Sequence, residues 1–365
     1  MELSIVISTN NRAKSLVGAL IALNNQDHDP ELIEVIVADN GSTDATPSVV
    51  EGFRKLFPNF RYIYDPRPGQ LVGWHRALPL ARADIIGFID DDVYPKPHWA
   101  STVVEIFSDP KIGLATGRIE PIFEKKPPAW HEKFVNAHPH GHWSALWGSL
   151  DFGDQFIDIK ADYVWGSNFL VRKSAFIEAG GFHPCGMPSE LFHFTGDGDV
   201  GVGRQIEASG NSVKYHPEAK VEHHLSSFRN TEDEIQRMIF GEGLVISYTH
   251  MRKLAKSHPH DSSQDLIGIS KHFITNQQIN QIGRGYLMAE KRLPDSIKTI
   301  FENAGGDGFR FHQGYFKSDP KFREWVLRDN YLNIDACYLH PDLFGRAEKN
   351  QATRTEFGAD FSWSI

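Results

Sequence analysis

The chain carries short, largely β-branched apolar segments that each end in a polar turn, and this alternation restricts its fold most. Leu3 to Ile7 leads into Ser8-Thr9-Asn10-Asn11-Arg12, and Ile33 to Ala38 into Asp39-Asn40-Gly41-Ser42-Thr43-Asp44. Ile85 to Ile89 leads into Asp90-Asp91-Asp92. Apolar runs of this length read as strands buried on both faces. Between them, Leu16, Ala19, Leu20 and Leu23 recur at helical spacing, and the turn after Ala38 is rich in capping residues and opens a helix over 45–57. Arg61 to Tyr64 is a further short strand, and residues 69–83 hold a loop and a helix. Strands alternating with helices require right-handed crossovers. The fold class is therefore α/β, with a Rossmann-like, mostly parallel central sheet flanked by helices. Such sheets bind ligands beyond the carboxyl ends of their strands, and the three polar turns all lie at those ends.

Asp90-Asp91-Asp92 needs a partner, because adjacent negative charges repel and require a cation or a set of donors. Hard oxygen ligands suit Mg2+ or Mn2+, ions that commonly arrive with a substrate phosphate. The bland alternative is a solvated acidic turn. Composition narrows the rest. The 365 residues suffice for one large domain or two, and 40% apolar with 23% charged residues is globular. A net charge of −9 argues against a general nucleic-acid binder. Cys185 and Cys337 are far apart in sequence and suggest neither a disulfide framework nor a metal pattern, which suits a reducing, cytoplasmic compartment. The start lacks the features of a signal peptide, and no run approaches the roughly 18 apolar residues of a membrane span. Any membrane contact is expected to be peripheral, at the inner face.

Further along, residues 97–107 read as a helix and 113–118 as a strand, while 121–160 are irregular and rich in aromatics and histidines. A strand over 163–171 is broken by Gly166-Ser167-Asn168, and a short helix over 174–179 is stopped by Gly180-Gly181. Residues 199–209 read as a helix with Gly210 past its end, and 212–215 and 219–223 as two short strands. Thr231-Glu232-Asp233-Glu234 has the capping-box pattern and starts a long helix to Lys256. Gly241 and Gly243 inside it each weaken it by about 1 kcal/mol relative to alanine, which implies close packing against another element. From about 260 the pattern is helical and polar; from Pro341 the periodicity is weak, as in a segment that wraps the body or is mobile.

In combination, Ser8-Thr9-Asn10, Asp39-Asn40-Gly41-Ser42-Thr43-Asp44, and Asp90-Asp91-Asp92 followed by Pro97 resemble the family 2 glycosyltransferases of GT-A fold. Gly166-Ser167-Asn168-Phe169-Leu170-Val171-Arg172-Lys173-Ser174 and Gly180-Gly181-Phe182 are similar to that family's acceptor-side strand and its sequel. The resemblance covers residues 1–228 and implies a GT-A glycosyltransferase domain there. Its nucleotide-sugar half is about 1–118 and its acceptor half about 119–228, followed by a helical C-terminal region over 229–365. It implies a nucleoside diphosphate sugar as donor, with Mn2+ or Mg2+, and inverting transfer to a hydroxyl of a glycan or glycolipid, as in surface polysaccharide synthesis. Asp39 would contact the base, with Ser8, Thr9, Asn10, Arg12 and Asn40 near the nucleotide. Asn40 stands where the family commonly has a second aspartate. Asp90 or Asp91 would contact the ribose or metal water, and Asp92 would bind the metal, with Asp90 and His223 as further candidates.

Gly196-Asp197-Gly198-Asp199-Val200-Gly201 formally matches a dinucleotide fingerprint, but two carboxylates inside the loop would repel a pyrophosphate. In the resembling family an acidic pair entering a helix here supplies the catalytic base. Counting back from Gly210 selects Asp199, and counting back from Arg204 selects Asp197. Placing Asp199 at the N-cap favours it, with its pKa lowered by the helix end, and leaves Asp197 to orient the acceptor. Favourable acids at a helix start are the structural alternative. Trp130, Trp143, Trp147 and Trp165 lie on the acceptor side, where flat aromatic faces suit a sugar ring. Trp165, Asn168 and Trp143 are the acceptor candidates. A zinc site from His138, His140 and His142 is the lesser reading of a histidine-rich loop. Two other classes stay open: a nucleotidyltransferase, which would want a Gly- and Lys-rich phosphate loop where Ser8 to Arg12 stands, and a non-catalytic glycan-binding module. An oligomer interface or an acceptor contact is the expected use of the C-terminal helices.

Overall fold

The computed structural model describes residues 1–259, 266 and 295–356. The apolar runs form β1 (Leu3–Thr9), β2 (Ile33–Asp39), β3 (Phe60–Tyr64) and β4 (Ile85–Asp90), all mutually parallel in the order β3-β2-β1-β4. Every residue of β1 and β2 is buried, as befits strands in the centre of a sheet covered on both faces. Between them run α1 (Ala13–Asn24), α2 (Thr46–Phe53) and α3 (Gln70–Ala77). After β4 come a short β5 (Val93–Pro95), α4 (Trp99–Ile106) and the long β6 (Ile112–Phe123).

The sheet changes character beyond β4. β11 (Phe169–Arg172) inserts between β4 and β6, antiparallel to both. Residues 121–160, read from sequence as irregular, contain β7 (Asn136–His138), β8 (Gly141–Ser144), β9 (Ser149–Asp151) and β10 (Ile157–Asp158), too short for alternation to show. The two short strands expected over 212–223 are one strand, β12 (Ser212–Leu225). It lies parallel to β6, with a register shift between His216 and Val221. The sheet is thus mixed but mostly parallel in its nucleotide-side half, and helices flank it as expected for a GT-A type fold.

Alternation along the strands divides the core into two layers. Ile5 and Ile7 face Leu16, Leu20, Val50 and Trp99 of α1, α2 and α4. Val6 and Phe88 face Trp74 of α3 and Phe176 of α5 (Lys173–Glu178). This second layer continues into α6 (Gly198–Ala208), α7 (Glu232–Ser257), α8 (Asp295–Ser318) and α9 (Pro320–Leu327). Tyr248, Phe316, Trp325, Tyr331 and Tyr338 belong to the same buried cluster as Trp74 and Phe88. Packing therefore does not break near residue 228. A short α10 (Ile334–Cys337) and a final α11 (Pro341–Glu356) follow. No helix among the described residues is long and apolar enough to cross a membrane.

Thr231 caps α7 by accepting from the Glu234 N–H at 3.2 Å. Its glycines have a packing reason. A Cβ on Gly243 would lie 2.0 Å from the Gly305 carbonyl oxygen of α8, and one on Gly308 1.9 Å from that of Phe240. The two helices cross with their backbones in contact. Gly243→Ala is therefore expected to destabilise the protein by about 1–3 kcal/mol, although alanine is the better helix former. Gly52→Ala, in α2 where a Cβ meets nothing within 4 Å, should stabilise by roughly 0.5–1 kcal/mol. Opposite shifts of Tm for the two variants are the check, and equal shifts would contradict the crossing.

Candidate active site

The register of the parallel strands sets the site. Ser8 pairs with Ala38 on one side and Asp90 on the other, and Thr9 pairs with Asp39. The strand ends make the floor of a cleft of about 440 Å3, lined there by Ser8, Thr9, Asn10, Arg12, Asn40, Asp90, Asp91 and Asp92. Beneath it, buried Asp39 accepts from the Ser42 N–H at 2.7 Å and from the Tyr62 hydroxyl at 2.6 Å. Asn40 donates through Nδ2 to the Gly69 carbonyl at 3.1 Å, and its own carbonyl accepts from Asn10 at 2.6 Å. The turn is held open by Gly41, at φ +88, and by Asn11, at φ +54. Asn11 tolerates this left-handed backbone because its side-chain oxygen takes the N–H groups of Thr43 and Asp44.

Each carboxylate of the triple has its own partner. Arg12 spans two of them, with Nε 3.1 Å from Asp91 Oδ1 and a terminal nitrogen on Asp92. Thr9 Oγ1 donates to Asp91 Oδ2 at 2.7 Å, and Gln70 Nε2 to Asp90 Oδ1 at 2.5 Å. Burial raises the Asp91 carboxyl to about 7 against the opposing pull of Arg12. Burial and the neighbouring Asp92 raise Asp90. Asp92 goes the other way: burial would raise it, but His223 and Arg12 outweigh that and hold it below the usual carboxylate range.

His223 reaches Asp92 from β12. Its Nδ1 donates to the Trp147 carbonyl at 3.0 Å, which leaves Nε2 as the lone-pair nitrogen. Nε2 is buried without a hydrogen-bond partner and lies 3.7 Å from Asp92 Oδ1. Burial lowers its pKa against the opposing pull of Asp92. An imidazole nitrogen and a carboxylate facing one space fit a divalent cation. Gly148, at φ +53, leaves room for the ring: a Cβ there would be 3.1 Å from Nδ1. Of the expected metal candidates, Asp92 and His223 come together, whereas Asp90 is turned to Gln70. Among the described residues no group of three His, Cys, Asp or Glu side chains is arranged to hold a metal. Water or substrate oxygens would complete the coordination. The sequence reading missed Gln70, Arg229 and the buried, unpartnered Ser167 hydroxyl; the last sits inside the quoted Gly166-Ser167-Asn168 motif, its one available signal.

The second acidic pair opens α6. Gly198, at φ +49, turns the chain between the two aspartates. Asp197, not Asp199, takes the N-cap position, and Asp199 falls in the first helical turn. The expected lowering of Asp199 is overturned with it. Burial raises its carboxyl, despite hydrogen bonds from the Gly166 and Val200 N–H groups. Asp197 pairs with His183 Nδ1. Burial would raise Asp197, but the His183 bond and charge outweigh it and keep it below the usual range. Neither aspartate lines the strand-end cleft. Between the two regions lies Cys185, its thiol pushed up by burial and by the fields of Asp199 and Asp90.

On the expected acceptor side, Trp143 and Trp165 are neighbours, with ring centroids 6.3 Å apart, and both remain partly exposed. Asn168 is fully buried: Oδ1 accepts from Trp99 Nε1 at 3.0 Å and Nδ2 donates to the Ala219 carbonyl at 2.9 Å. It ties α4 and β12 to the start of β11 and offers no atom to an acceptor. Trp147 is buried against His131. His138 accepts from the His140 backbone N–H at 3.3 Å and stacks on Phe152, so that loop is organised by packing.

The fold is an α/β sheet extended by antiparallel strands, with a carboxylate-lined cleft at the ends of its parallel strands. Residues 4–180 match the model for glycosyl transferase family 2. It is similar to the pre-mycofactocin glycosyltransferase of Mycobacterium tuberculosis, at 27% identity over 262 residues that cover 70% of this chain and 49% of that protein. It is also similar to the glucosyl-dolichyl phosphate glucuronosyltransferase of Haloferax volcanii, at 23% identity over 248 residues covering 67% and 75%. A solved mannosyltransferase from Pyrobaculum calidifontis, in complex with GDP-Man and Mn2+, aligns over 98% of this chain and 88% of its own, with a TM-score of 0.47 and 14% identity. The chain spans about half the length of the mycobacterial relatives it matches.

The His183 pairing gives Asp197 a pH signature. A carboxylate lowered by folding contributes stability above its unfolded pKa of about 3.9, and that contribution is lost as pH falls through the folded value. Asp197→Asn should lower stability at pH 7 by about 1–3 kcal/mol and make Tm fall less steeply on acidification below about pH 4. Thermal unfolding across a pH series tests this; an unchanged acid limb would dissociate Asp197 from His183.

Proposed function

We propose that the cleft binds a nucleoside diphosphate sugar together with Mn2+ or Mg2+, and that the enzyme transfers the sugar with inversion to a hydroxyl of a glycan or glycolipid acceptor, in surface polysaccharide synthesis. The observation that carries this reading is the buried, unpartnered Nε2 of His223 facing Asp92 at the ends of the parallel strands. Asp92 and His223 would hold the cation, which when bound would offset the charge of the departing diphosphate. Asp39 and Asn40, with Ser8, Thr9 and Asn10 around them, hold the base end. Gln70 fixes Asp90 toward the ribose, and Arg12 holds Asp91 and Asp92 in one orientation.

Asp199 is the proton acceptor in this reading. Burial makes its carboxylate more basic than a solvated one, which suits a general base. The Gly166 and Val200 N–H groups fix its orientation. The acceptor oxygen forms a bond to the anomeric carbon, the bond from that carbon to the diphosphate oxygen breaks, and the hydroxyl proton passes to Asp199. Asp197, tied to His183, positions the start of α6. Trp143 and Trp165 offer apolar faces to the acceptor.

Two variants separate binding from chemistry. Asp92→Ala should abolish the Mn2+-dependent part of nucleoside diphosphate affinity in calorimetry while the protein stays folded. Unchanged metal-dependent affinity would remove Asp92 from the site. Asp199→Asn should keep that affinity and lose transfer by about 100-fold or more. Full transfer activity in this variant would assign the base elsewhere.

A further inference from the structure

The cleft has a wall that no strand-end motif supplies. Four residues of α11, Arg346, Lys349, Asn350 and Thr353, line the same cleft as Asp90, Asp91 and Asp92. They recur at i, i+3, i+4 and i+7, so they share one helical face. The adjoining face is anchored by buried Leu343 and Ala347. The helix is pinned above the β3–α3 loop: Asn350 Nδ2 donates to the Pro66 carbonyl at 2.8 Å, and the Tyr338 hydroxyl to that of Pro68 at 2.6 Å. Asn350 also abuts Gly41, where a Cβ would lie 2.9 Å from its Nδ2.

Charge on this wall is incompletely satisfied. Arg346 uses one terminal nitrogen on Glu190 at 2.7 Å, but its Nε is buried with no hydrogen-bond partner. Lys349 is exposed to the cleft and makes no ion pair among the described residues. A diphosphate entering the cleft is repelled by the acidic floor, and Arg12 is already committed there. The anion is most stable with its charge shared between a cation at the floor and guanidinium and ammonium groups on the facing wall. Resting on the donor-site reading above, we infer that α11 completes the donor site, with Arg346 and Lys349 binding the diphosphate of the nucleotide from the side opposite Asp90-Asp91-Asp92.

The test is calorimetric titration of the full chain with UDP, GDP, ADP, CDP and dTDP in the presence of Mn2+, and of the matching nucleosides. If the wild type binds none of the five diphosphates, the donor-site reading fails and the inference with it. Given a binder, Arg346→Ala and Lys349→Ala should each weaken the diphosphate by about tenfold, and Lys349→Arg should retain most affinity. The nucleoside should bind all variants equally. Glu190→Gln, which removes the Arg346 ion pair but leaves the cation, should stay within about twofold of wild type. Wild-type diphosphate affinity in the double Arg346→Ala, Lys349→Ala variant would overturn the inference while leaving the donor-site reading intact. A parallel loss of nucleoside affinity, or an equal loss in Glu190→Gln, would overturn it too, by showing that α11 acts only as a packed wall.

Discussion

The bidentate reach of Arg12 onto Asp91 and Asp92 is the interaction on which the cleft depends. Three consecutive carboxylates at the end of a buried strand cannot all stay ionised without compensation. Arg12, projecting from the turn after β1, offsets two of them, and Thr9 and Gln70 engage Asp91 and Asp90 from neighbouring elements. The turn is thereby fixed with Asp92 charged and next to His223. A floor built this way keeps one carboxylate ionised and another close to neutrality in adjacent positions, a division that the backbone alone would not produce.

The strand-end chemistry was legible because it is local. Apolar runs of full burial, ended by Ser8-Thr9, Asp39-Asn40 and Asp90-Asp91-Asp92, leave little choice of where those residues sit once the sheet is parallel. What depends on side-chain direction was less legible. Arg12 could have pointed to solvent from the same turn. Asn168 carries the polarity of a binding residue but spends it on Trp99 and Ala219, because β11 needs both neighbours tied at its start. At α6 the cap falls two residues earlier than expected, on Asp197, so the helix begins at Gly198 and Asp199 lands in a buried first turn. Two residues of register thus reverse the direction in which its proton affinity moves.

The C-terminal part was hardest to read for a physical reason. α11 is anchored through a narrow apolar stripe, Leu343 and Ala347, and the face beside that stripe is polar because it borders a cleft. A helix of that kind shows almost no hydrophobic periodicity. Gly243 and Gly308 pose the same difficulty in another form: they lower helix propensity in sequence, yet their lack of side chains lets α7 and α8 touch backbone to backbone. Local preference and tertiary packing disagree at these sites, and packing prevails.

The cleft also joins segments from opposite regions of the chain, the turn at Ser8 to Arg12 and the helix face from Arg346 to Thr353. During synthesis the strands that form the floor leave the ribosome early and can pair among themselves, since their crossovers are short. The wall cannot close until residue 353 has emerged, across a very long loop. A nascent chain therefore presents its acidic floor bare, and the cleft gains its second wall only long after the segment that bears the recognisable motifs has been made.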